Sequence, residues 1–192
     1  TGVELVTDHV VDVEYDGDRI ASLATRSGKR FEPAWFIDAS GRRRLIGRSA
    51  GIGCEEWGSA RMALWTEHSA PIDFEGTFLH FDNGETFTWA WEIPIAADRR
   101  SVGVVVPLER FQEQRRDGHN ADEILMHHLT RLCRSADARI DDHQPVRTRS
   151  YRPYVSDRLT GENWAMIGEA AAFADPRFAT RQRSHPSSPV TE

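Results

Sequence analysis

Two apolar segments of the sequence each end in small residues beside a carboxylate. Residues 36–42 read Phe-Ile-Asp-Ala-Ser-Gly-Arg, and residues 166–171 read Met-Ile-Gly-Glu-Ala-Ala. In open α/β sheets, ligands bind outside the carboxyl ends of the strands, where small residues let a ligand approach the backbone. Carboxylates at such an edge can accept hydrogen bonds from sugar hydroxyls. The two segments are therefore typical of a nucleotide-binding edge.

The first segment also has a simpler interpretation. Asp38 and Ser40 can form a turn in which the Asp38 carboxylate caps the amides of Ser40 and Gly41. The residues alone favour neither interpretation. Ser40 and Ser59 both lack the Gly-x-Ser-x-Gly elbow of a hydrolase nucleophile, so the sequence gives no support to a hydrolase triad.

A second feature is a pair of indoles two residues apart in a predicted strand, Trp89 and Trp91, followed by Ile93 and Pro94. Alternate residues of a strand share one face, so the two rings could wall a tunnel and exclude water from a reactive species. The same alternation is typical of the core face of an antiparallel strand. Both interpretations stay open.

The histidines do not predict a metal site. His127 and His128 are adjacent on a predicted helix, so their side chains point about 100° apart. Neither these two residues nor His119 has a carboxylate that would complete a metal-ligand set of two histidines and one carboxylate. We expect these histidines on the helix surface and expect no metal ion.

These residues must be positioned by a mixture of strands and one helix. Residues 10–15 and 19–23 predict a hairpin with an Asp-Gly turn at 16–17, followed by a second turn at 27–28. The continuous apolar run at 34–37 is typical of a strand buried on both faces. A short buried strand of the same kind is predicted at 164–167.

The middle of the sequence predicts an antiparallel sheet. Strands are expected at 60–67, 77–81, 86–93 and 101–106, with breaks at Asn83-Gly84 and Pro94. A helix is expected at 121–135, with Asn120 as its N-cap and Glu123 completing a variant capping box. A further strand is expected at 147–154, and the polar residues 181–192 are expected to be disordered.

Composition excludes several classes of protein. The 192 residues carry a formal net charge of −6, and neither half is strongly basic, which argues against a nucleic-acid partner. The sequence contains no apolar stretch of about 18 residues, so we expect no membrane span. Cys54 and Cys133 lack disulfide or metal spacing, which favours a reduced, cytoplasmic protein. Thr1 leads directly into an apolar strand, so we expect a piece of a longer chain.

Several of these segments, in this order along residues 2–180, resemble the flavin-dependent halogenases and their monooxygenase and reductase relatives. The Trp-x-Trp-x-Ile-Pro pattern is the most halogenase-like of them. The segments that carry the resemblance are residues 38–42, Trp89, Trp91, Ile93, Pro94, residues 101–106 and residues 168–176.

The resemblance implies a mixed α/β fold, namely part of an FAD/NAD(P)-binding fold shared with the aromatic hydroxylases, with an inserted antiparallel-sheet substrate domain. The corresponding division is 1–53 and 147–180 in the FAD-binding domain, 54–146 in the substrate domain with its helix, and 181–192 as a tail. In such enzymes reduced flavin reacts with oxygen, and the oxidant hydroxylates an aromatic compound or oxidises halide.

The resemblance also implies contacts with FAD. Val10 would present its backbone to the adenine, residues 38–41 would form a wall beside the nucleotide, and Glu169 would accept hydrogen bonds from ribityl or ribose hydroxyls. Glu169 replaces the usual aspartate after the glycine. The full set of cofactor-binding residues expected on this basis is Val10, Asp38, Ala39, Ser40, Gly41, Arg42, Gly168, Glu169, Asp175 and Pro176, of which Pro176 would lie close to the isoalloxazine ring.

Two departures from the family pattern concern catalysis. The Gly-x-Gly-x-x-Gly turn that places a pyrophosphate on a helix N-terminus is absent. The nearest match, residues 51–56, has Glu56 where the third glycine is required. The family's catalytic lysine also has no counterpart, because Lys29 is the single lysine and falls in a hairpin turn. No catalytic residue is assigned.

The resemblance implies a small-molecule substrate, free or carrier-bound, and a flavin reductase that supplies reduced flavin. Two other interpretations stay open. One is a flavin-dependent reductase of isoprenoid double bonds, and the other is a noncatalytic truncated remnant.

Overall fold

A computed structural model describes residues 2–69, 76–82, 84, 87–133 and 144–175. The chain forms two compact units. One is Gly58–Arg152, and the other combines the described chain up to Trp57 with the described chain from Pro153 to Asp175. The boundaries expected from the sequence were 53/54 and 146/147.

The described residues of the first unit form short strands and one short helix. These elements are β1 (Val10–Asp16), β2 (Arg19–Thr25), β3 (Arg30–Phe31), β4 (Phe36–Asp38), α1 (Leu45–Ser49), β5 (Cys54–Glu56), β11 (Tyr154–Ser156), β12 (Trp164–Met166) and β13 (Ala172–Phe173). The strands form three sheets with the orders β1-β2-β3, β12-β4 and β13-β11-β5.

The hairpin of β1 and β2 forms as expected, but its turn lies one residue later than the predicted turn at 16–17. Asp16 pairs with Arg19, so the turn residues are Gly17 and Asp18, and Gly17 has a φ of 61°. The Asn163 side chain, just before β12, donates to the Ile20 carbonyl and accepts from the Ile20 amide at 2.9 and 2.8 Å. This buried amide completes the backbone hydrogen bonding of Ile20 and holds the hairpin to β12.

The two predicted buried strands pair in parallel as β4 and β12, but the expectation that 34–37 is buried on both faces is wrong. Phe36 is buried against Trp164 and Met166, whereas Ile37 is 58% exposed and Trp35 59% exposed. Successive side chains of a strand point to opposite faces. In the part of the chain that the structure describes, only the Phe36 face packs against a core, and the other apolar face is exposed.

In its described residues the second unit is an antiparallel sheet covered on one face by two helices. Its elements are β6 (Arg61–Ser69), β7 (Phe78–Asp82), β8 (Thr88–Ala96), β9 (Arg99–Pro107), α2 (Leu108–Arg116), α3 (Ala121–Leu132) and β10 (Arg147–Tyr151). The strand order is β10-β6-β9-β8-β7. The core residues, from β6, β8, β9, α3 and the residue that follows α3, are Met62, Leu64, Ala90, Val102, Val104, Val106, Ile124, Leu125, Leu129 and Cys133.

The position of β10 determines where this unit ends. It pairs with β6 from Arg147 opposite Trp65 to Tyr151 opposite Arg61. Residues 147–151 therefore complete the antiparallel sheet of the second unit, although the sequence placed them with the flanking segment.

Strand β8 continues through Pro94 to Ala96 instead of ending before it. Neighbouring β7 pairs with Thr88 to Glu92, and among the described residues β8 has no partner on that side at Pro94. A proline at such an edge position removes no hydrogen bond from the sheet. On its other side Pro94 lies opposite Arg100 of β9, next to a bulge.

Helix α3 begins as expected and ends earlier. The Asn120 side chain accepts from the Glu123 amide, and the Glu123 carboxylate accepts from the Asn120 amide, each at 2.9 Å. This reciprocal capping box satisfies two amides that the first turn leaves unpaired. The helix ends at Leu132, before the expected residue 135. The preceding helix α2 was not expected, because its sequence contains only Leu108 and Phe111 as large apolar residues.

Candidate functional site

The two carboxylate-ending segments lie side by side in the first unit. Asp38 is the partner of Met166 in the parallel pair, and the Ile167 amide donates to the Asp38 carbonyl at 2.9 Å. Each strand is followed by a 3-10 turn with a left-handed glycine at its first position, Gly41 at φ 62° and Gly168 at φ 57°. The fold thus unites the two segments at one carboxyl edge.

This edge is open to a ligand. A Cβ atom built on Gly41 or Gly168 would meet no heavy atom within 4 Å. Ala39, Ser40 and Glu169 are exposed. In nucleotide-binding folds, an uncovered backbone beside parallel strands lets the ligand approach, and a solvent-facing carboxylate accepts hydrogen bonds from ribose hydroxyls. The described residues offer no phosphate-binding glycine loop followed by a helix.

Both carboxylate oxygens of Asp38 accept hydrogen bonds from backbone amides. It is 4% exposed, its Oδ1 accepts from the Ser40 amide, and its Oδ2 accepts from the Ile46 amide, both at 2.8 Å. Ser40 Oγ accepts from the Leu45 amide at 2.9 Å. The simpler interpretation of Asp38 as a turn-forming cap thus describes its contacts, with Ile46 taking the place expected for Gly41.

The resemblance implied a cofactor contact for Arg42, but Arg44 of the same arginine run is the one buried in the structure. Arg44 is buried with a left-handed φ of 47°. Its guanidinium donates to Ser156 Oγ at 3.1 Å and to the carbonyls of Ile52 and Gly53 at 3.0 and 2.8 Å. Arg42 lies over the Phe173 ring, 5.3 Å from its centre. No sequence pattern distinguishes the buried arginine within this run.

Two side chains of β11 donate hydrogen bonds to the turn that carries Glu169. The Tyr154 hydroxyl donates to the Glu169 carbonyl, and Ser156 Oγ donates to the Ala170 carbonyl at 3.3 Å. Burial raises the pKa of Tyr154, which keeps its hydroxyl protonated as a donor. The backbone of Glu169 is therefore fixed while its side chain faces solvent.

The remaining expected cofactor residues are spread over the first unit. Val10 begins β1 opposite Thr25, in a different sheet from the β4–β12 pair. Asp175 is buried. Pro176 lies outside the described residues.

In the second unit, Trp89 and Trp91 form one aromatic cluster. Their ring centres lie 5.6 Å apart at an angle of 44°. Trp89 is 4% exposed, and its indole N–H has no hydrogen-bond partner in the described parts of the chain. Ala90 belongs to the helix-covered core, so the two indoles occupy the opposite face of the sheet, with Ile93 partly buried beyond them.

Gly103 of β9 makes room for the second indole. Trp91 and Gly103 are register partners, and a Cβ at residue 103 would lie 2.3 Å from Trp91 Cζ2 and 2.7 Å from the Leu64 carbonyl oxygen. Both distances are well below van der Waals contact. The Trp91 indole N–H donates to Ser101 Oγ at 3.3 Å. The ring is thus fixed across β9.

The structure also brings together three residues that sequence spacing could not connect. His80 Nε2 lies 2.8 Å from Glu92 Oε1, and Cys133 lies beside the same carboxylate. The hydrogen bond with His80 lowers the pKa of Glu92. Burial, together with the Glu92 charge, raises the pKa of Cys133 to about 12.

The expectation that the helical histidines lie on the surface is wrong for His128. This side chain is buried, with Nε2 at 3.3 Å from Gln114 Oε1 of α2. Burial and the nearby positive groups lower the pKa of His128 to about 4. His119 lies 3.6 Å from Glu123, at the start of α3.

An α/β unit with an open carboxyl edge, interrupted in sequence by an antiparallel sheet carrying paired indoles, is the architecture of FAD-binding enzymes with an inserted substrate domain. Comparison of the sequence with known families assigns the chain within that class. It belongs to the tryptophan halogenase family, whose sequence profile matches residues 1–183. These flavin-dependent enzymes use FAD.

Two curated relatives are similar over most of the chain. The 1H-pyrrole-2-carbonyl-[peptidyl-carrier protein] brominase of Pseudoalteromonas luteoviolacea is 28% identical, covering 93% of this chain and 46% of the relative. The corresponding chlorinase of Pseudomonas fluorescens is 26% identical, covering 89% of this chain and 40% of the relative. The chain therefore spans less than half the length of these relatives.

A solved structure supports the fold. The flavin-dependent brominase Bmp2 superposes with a TM-score of 0.77 at 22% identity, over 93% of this chain and 46% of that one. Among the described residues, no helix has the length and apolar character that crossing a membrane requires.

Proposed function

We propose that this chain is part of an FAD-dependent halogenase that acts on an electron-rich aromatic substrate. The observation that carries the proposal is the pairing of the buried Trp89 with the partly buried Trp91 in a chain of this family. Two indoles in contact on one sheet face form a continuous apolar wall, and an apolar wall limits the access of water to a reactive oxidant.

The open edge of the first unit would hold the sugar portion of the cofactor. Its backbone at Ala39–Gly41 is free of side-chain cover, and the exposed Glu169 carboxylate can accept hydrogen bonds from hydroxyls. Asp38 acts indirectly, by fixing the loop between β4 and α1. Reduced FAD and oxygen supply the oxidising equivalent that converts halide to an electrophilic halogen.

The substrate class we propose is a pyrrole or indole, presented free or on a carrier protein. The two curated relatives named above act on a carrier-bound pyrrole. Electron-rich heteroaromatic rings react readily with electrophilic halogen, which fits a site shielded by indoles. A flavin reductase would supply the reduced cofactor.

A chimera tests the proposal. Residues 1–183 of this chain would replace the matching segment of the Pseudoalteromonas luteoviolacea brominase, and the product would be measured with bromide and 1H-pyrrole-2-carbonyl carrier protein. Bromination supports the proposal. Oxygen incorporation that ignores halide would indicate a hydroxylase, and turnover without oxygen would indicate a double-bond reductase. Either of these last outcomes contradicts halogenation.

The role of the indoles needs a separate comparison in the same chimera. Trp89→Phe and Trp91→Phe should preserve flavin occupancy but lower halogenated product per flavin reoxidised, because oxidant is lost to water. Phe111→Leu, a partly buried residue on the helix-covered side, is the matched control and should leave this ratio unchanged. Equal loss of flavin occupancy in both tryptophan variants would show that the indoles only pack the sheet.

A further inference from the structure

A cluster of three polar side chains lies in the second unit, on the face of the sheet opposite the indoles of Trp89 and Trp91. It contains His80 of β7, Glu92 of β8 and Cys133, the residue that caps the C-terminus of α3. One ligand atom from each residue lies within 4.8 Å of the other two. Three kinds of donor atom, nitrogen, oxygen and sulfur, therefore converge from three elements.

Strand register explains why the three residues meet. His80 is opposite Ala90, and Glu92 follows Ala90 by two residues, so His80 and Glu92 share the face covered by α3. Cys133 reaches this face from the end of the helix and is 4% exposed. Because two paired strands and a packed helix carry the donors, their spacing is defined by backbone structure.

A neighbouring arginine orients the carboxylate. Arg100 Nη1 lies 3.6 Å from Glu92 Oε2, while Oε1 faces His80 at 2.8 Å. The two oxygens thus have different partners, and Oε1 is the one directed at the cluster. Outer partners that orient a metal-ligating carboxylate in this way are a regular feature of metal sites.

We propose that His80, Glu92 and Cys133 bind one zinc ion. Zinc accepts imidazole nitrogen, carboxylate oxygen and thiolate sulfur together, at about 2.0–2.3 Å from the metal. Tetrahedral ligands at these bond lengths lie about 3.3–3.8 Å apart. The three donors already lie within 4.8 Å of one another, and the His80–Glu92 pair, now hydrogen-bonded at 2.8 Å, would separate by about half an ångström as zinc enters. As the Sγ–Zn bond forms, the thiol proton leaves to solvent, and His80 Nε2 donates its lone pair.

The proposed ion has a structural role and does not depend on the halogenase assignment. Three protein ligands leave the fourth position to water, and the His80 side chain, 25% exposed, provides a route from solvent. Bound zinc would tie the C-terminal end of α3 to β7 and β8. Since a ligand that binds only the folded state stabilises it, zinc should raise the thermal midpoint of the chain.

Metal titration of the 192-residue chain tests the site. Zinc added against a chromophoric chelator should bind with one-to-one stoichiometry and raise the midpoint of unfolding. Cobalt(II) in place of zinc should produce a thiolate-to-cobalt charge-transfer band. Failure of zinc to bind stoichiometrically, or a cobalt complex without the thiolate band, would overturn the proposal.

Paired variants assign the ligands. Cys133→Ser and His80→Gln should each weaken zinc binding by more than the 10–100-fold typical of losing an outer partner, while Cys54→Ser and His127→Gln should bind as the parent does. Circular dichroism would confirm that each variant folds, and the partly exposed His80 gives a variant that disturbs the core least. Undiminished affinity in folded Cys133→Ser or His80→Gln, or equal losses in the controls, would refute this ligand set.

Discussion

The indole of Trp91 lies across Gly103 on the neighbouring strand, so closely that even a methyl group at residue 103 would overlap the ring. Strand register makes the two residues direct partners. The wide indole and the absent side chain are therefore one structural feature, and the position of the Trp89–Trp91 cluster depends on it.

Replacing this glycine tests that dependence. Gly103→Ala should destabilise the chain by about 1–3 kcal/mol, the usual cost of overpacking, because the Leu64 carbonyl also blocks the new methyl group. Denaturant unfolding followed by tryptophan fluorescence measures the change. Gly84→Ala, where the nearest atom is the flexible Asp82 carboxylate at 3.2 Å, is the control and should be nearly neutral. Equal stability of Gly103→Ala and the parent would contradict the packing described.

Asp38→Asn should loosen the loop between β4 and α1. An amide side chain can accept from only one of the two backbone amides, at Ser40 or Ile46, and it turns an N–H toward the other. Leaving a buried amide unpaired costs about 1–3 kcal/mol. Hydrogen exchange at these two amides should accelerate, whereas the exposed variant Asp12→Asn should leave it unchanged. Unaltered protection in Asp38→Asn would show that the carboxylate does not hold the loop.

The free energy of unfolding should decrease as the pH falls from 6.5 to about 4, because of the buried His128. Its pKa is about 4 in the folded chain against 6.5 ordinarily, so between these values the unfolded chain binds more protons. The stability that the folded chain gains by keeping His128 neutral is fully present above pH 6.5 and is lost progressively as the pH falls toward 4. The neighbours of His128 include His127, Arg110, Arg131 and Asp82.

Unfolding measured across this pH range gives the check. His128→Gln should flatten the decline, because glutamine does not titrate, while His9→Gln, at an exposed histidine of the first unit, should keep it. A decline of the same depth in His128→Gln would assign the acid sensitivity to other groups.

The open apolar face of the β4–β12 pair should cause self-association of the 192-residue chain. Trp35, Ile37 and Ile167 are each about half exposed or more, and contiguous apolar surface of this kind favours association. Ile37→Lys should reduce the concentration dependence seen by sedimentation velocity. Val3→Lys, at an exposed residue outside the sheets, should not. A parent chain that stays monomeric at high concentration would disprove the expectation.

The 192-residue chain should retain little FAD on purification. The sequence contains no Gly-x-Gly-x-x-Gly turn, and without it the pyrophosphate charge is not offset by backbone amides at a helix N-terminus. Absorbance of the flavin relative to protein measures the occupancy. Stoichiometric flavin in the purified chain would contradict the expectation.

The sequence by itself determined the features that depend on local chemistry. The β1–β2 hairpin, the capping box at Asn120 and the alternating strands of the second unit follow from side chains that act on their own neighbours in the chain. The ordered motifs likewise sufficed to indicate the family. Pro94 misled the strand prediction, because a proline breaks a strand only where its amide would be paired.

The tertiary structure alone decided which side chains meet. Arg44 and Arg42 are indistinguishable in a run of arginines until β11 and the loop at 52–53 surround one of them. His80, Glu92 and Cys133 converge only through strand register and the end of α3. Burial likewise separates His128 from its neighbour His127. Contacts between residues distant in sequence arise from the pairing of strands and the packing of helices, and local sequence does not encode their spacing.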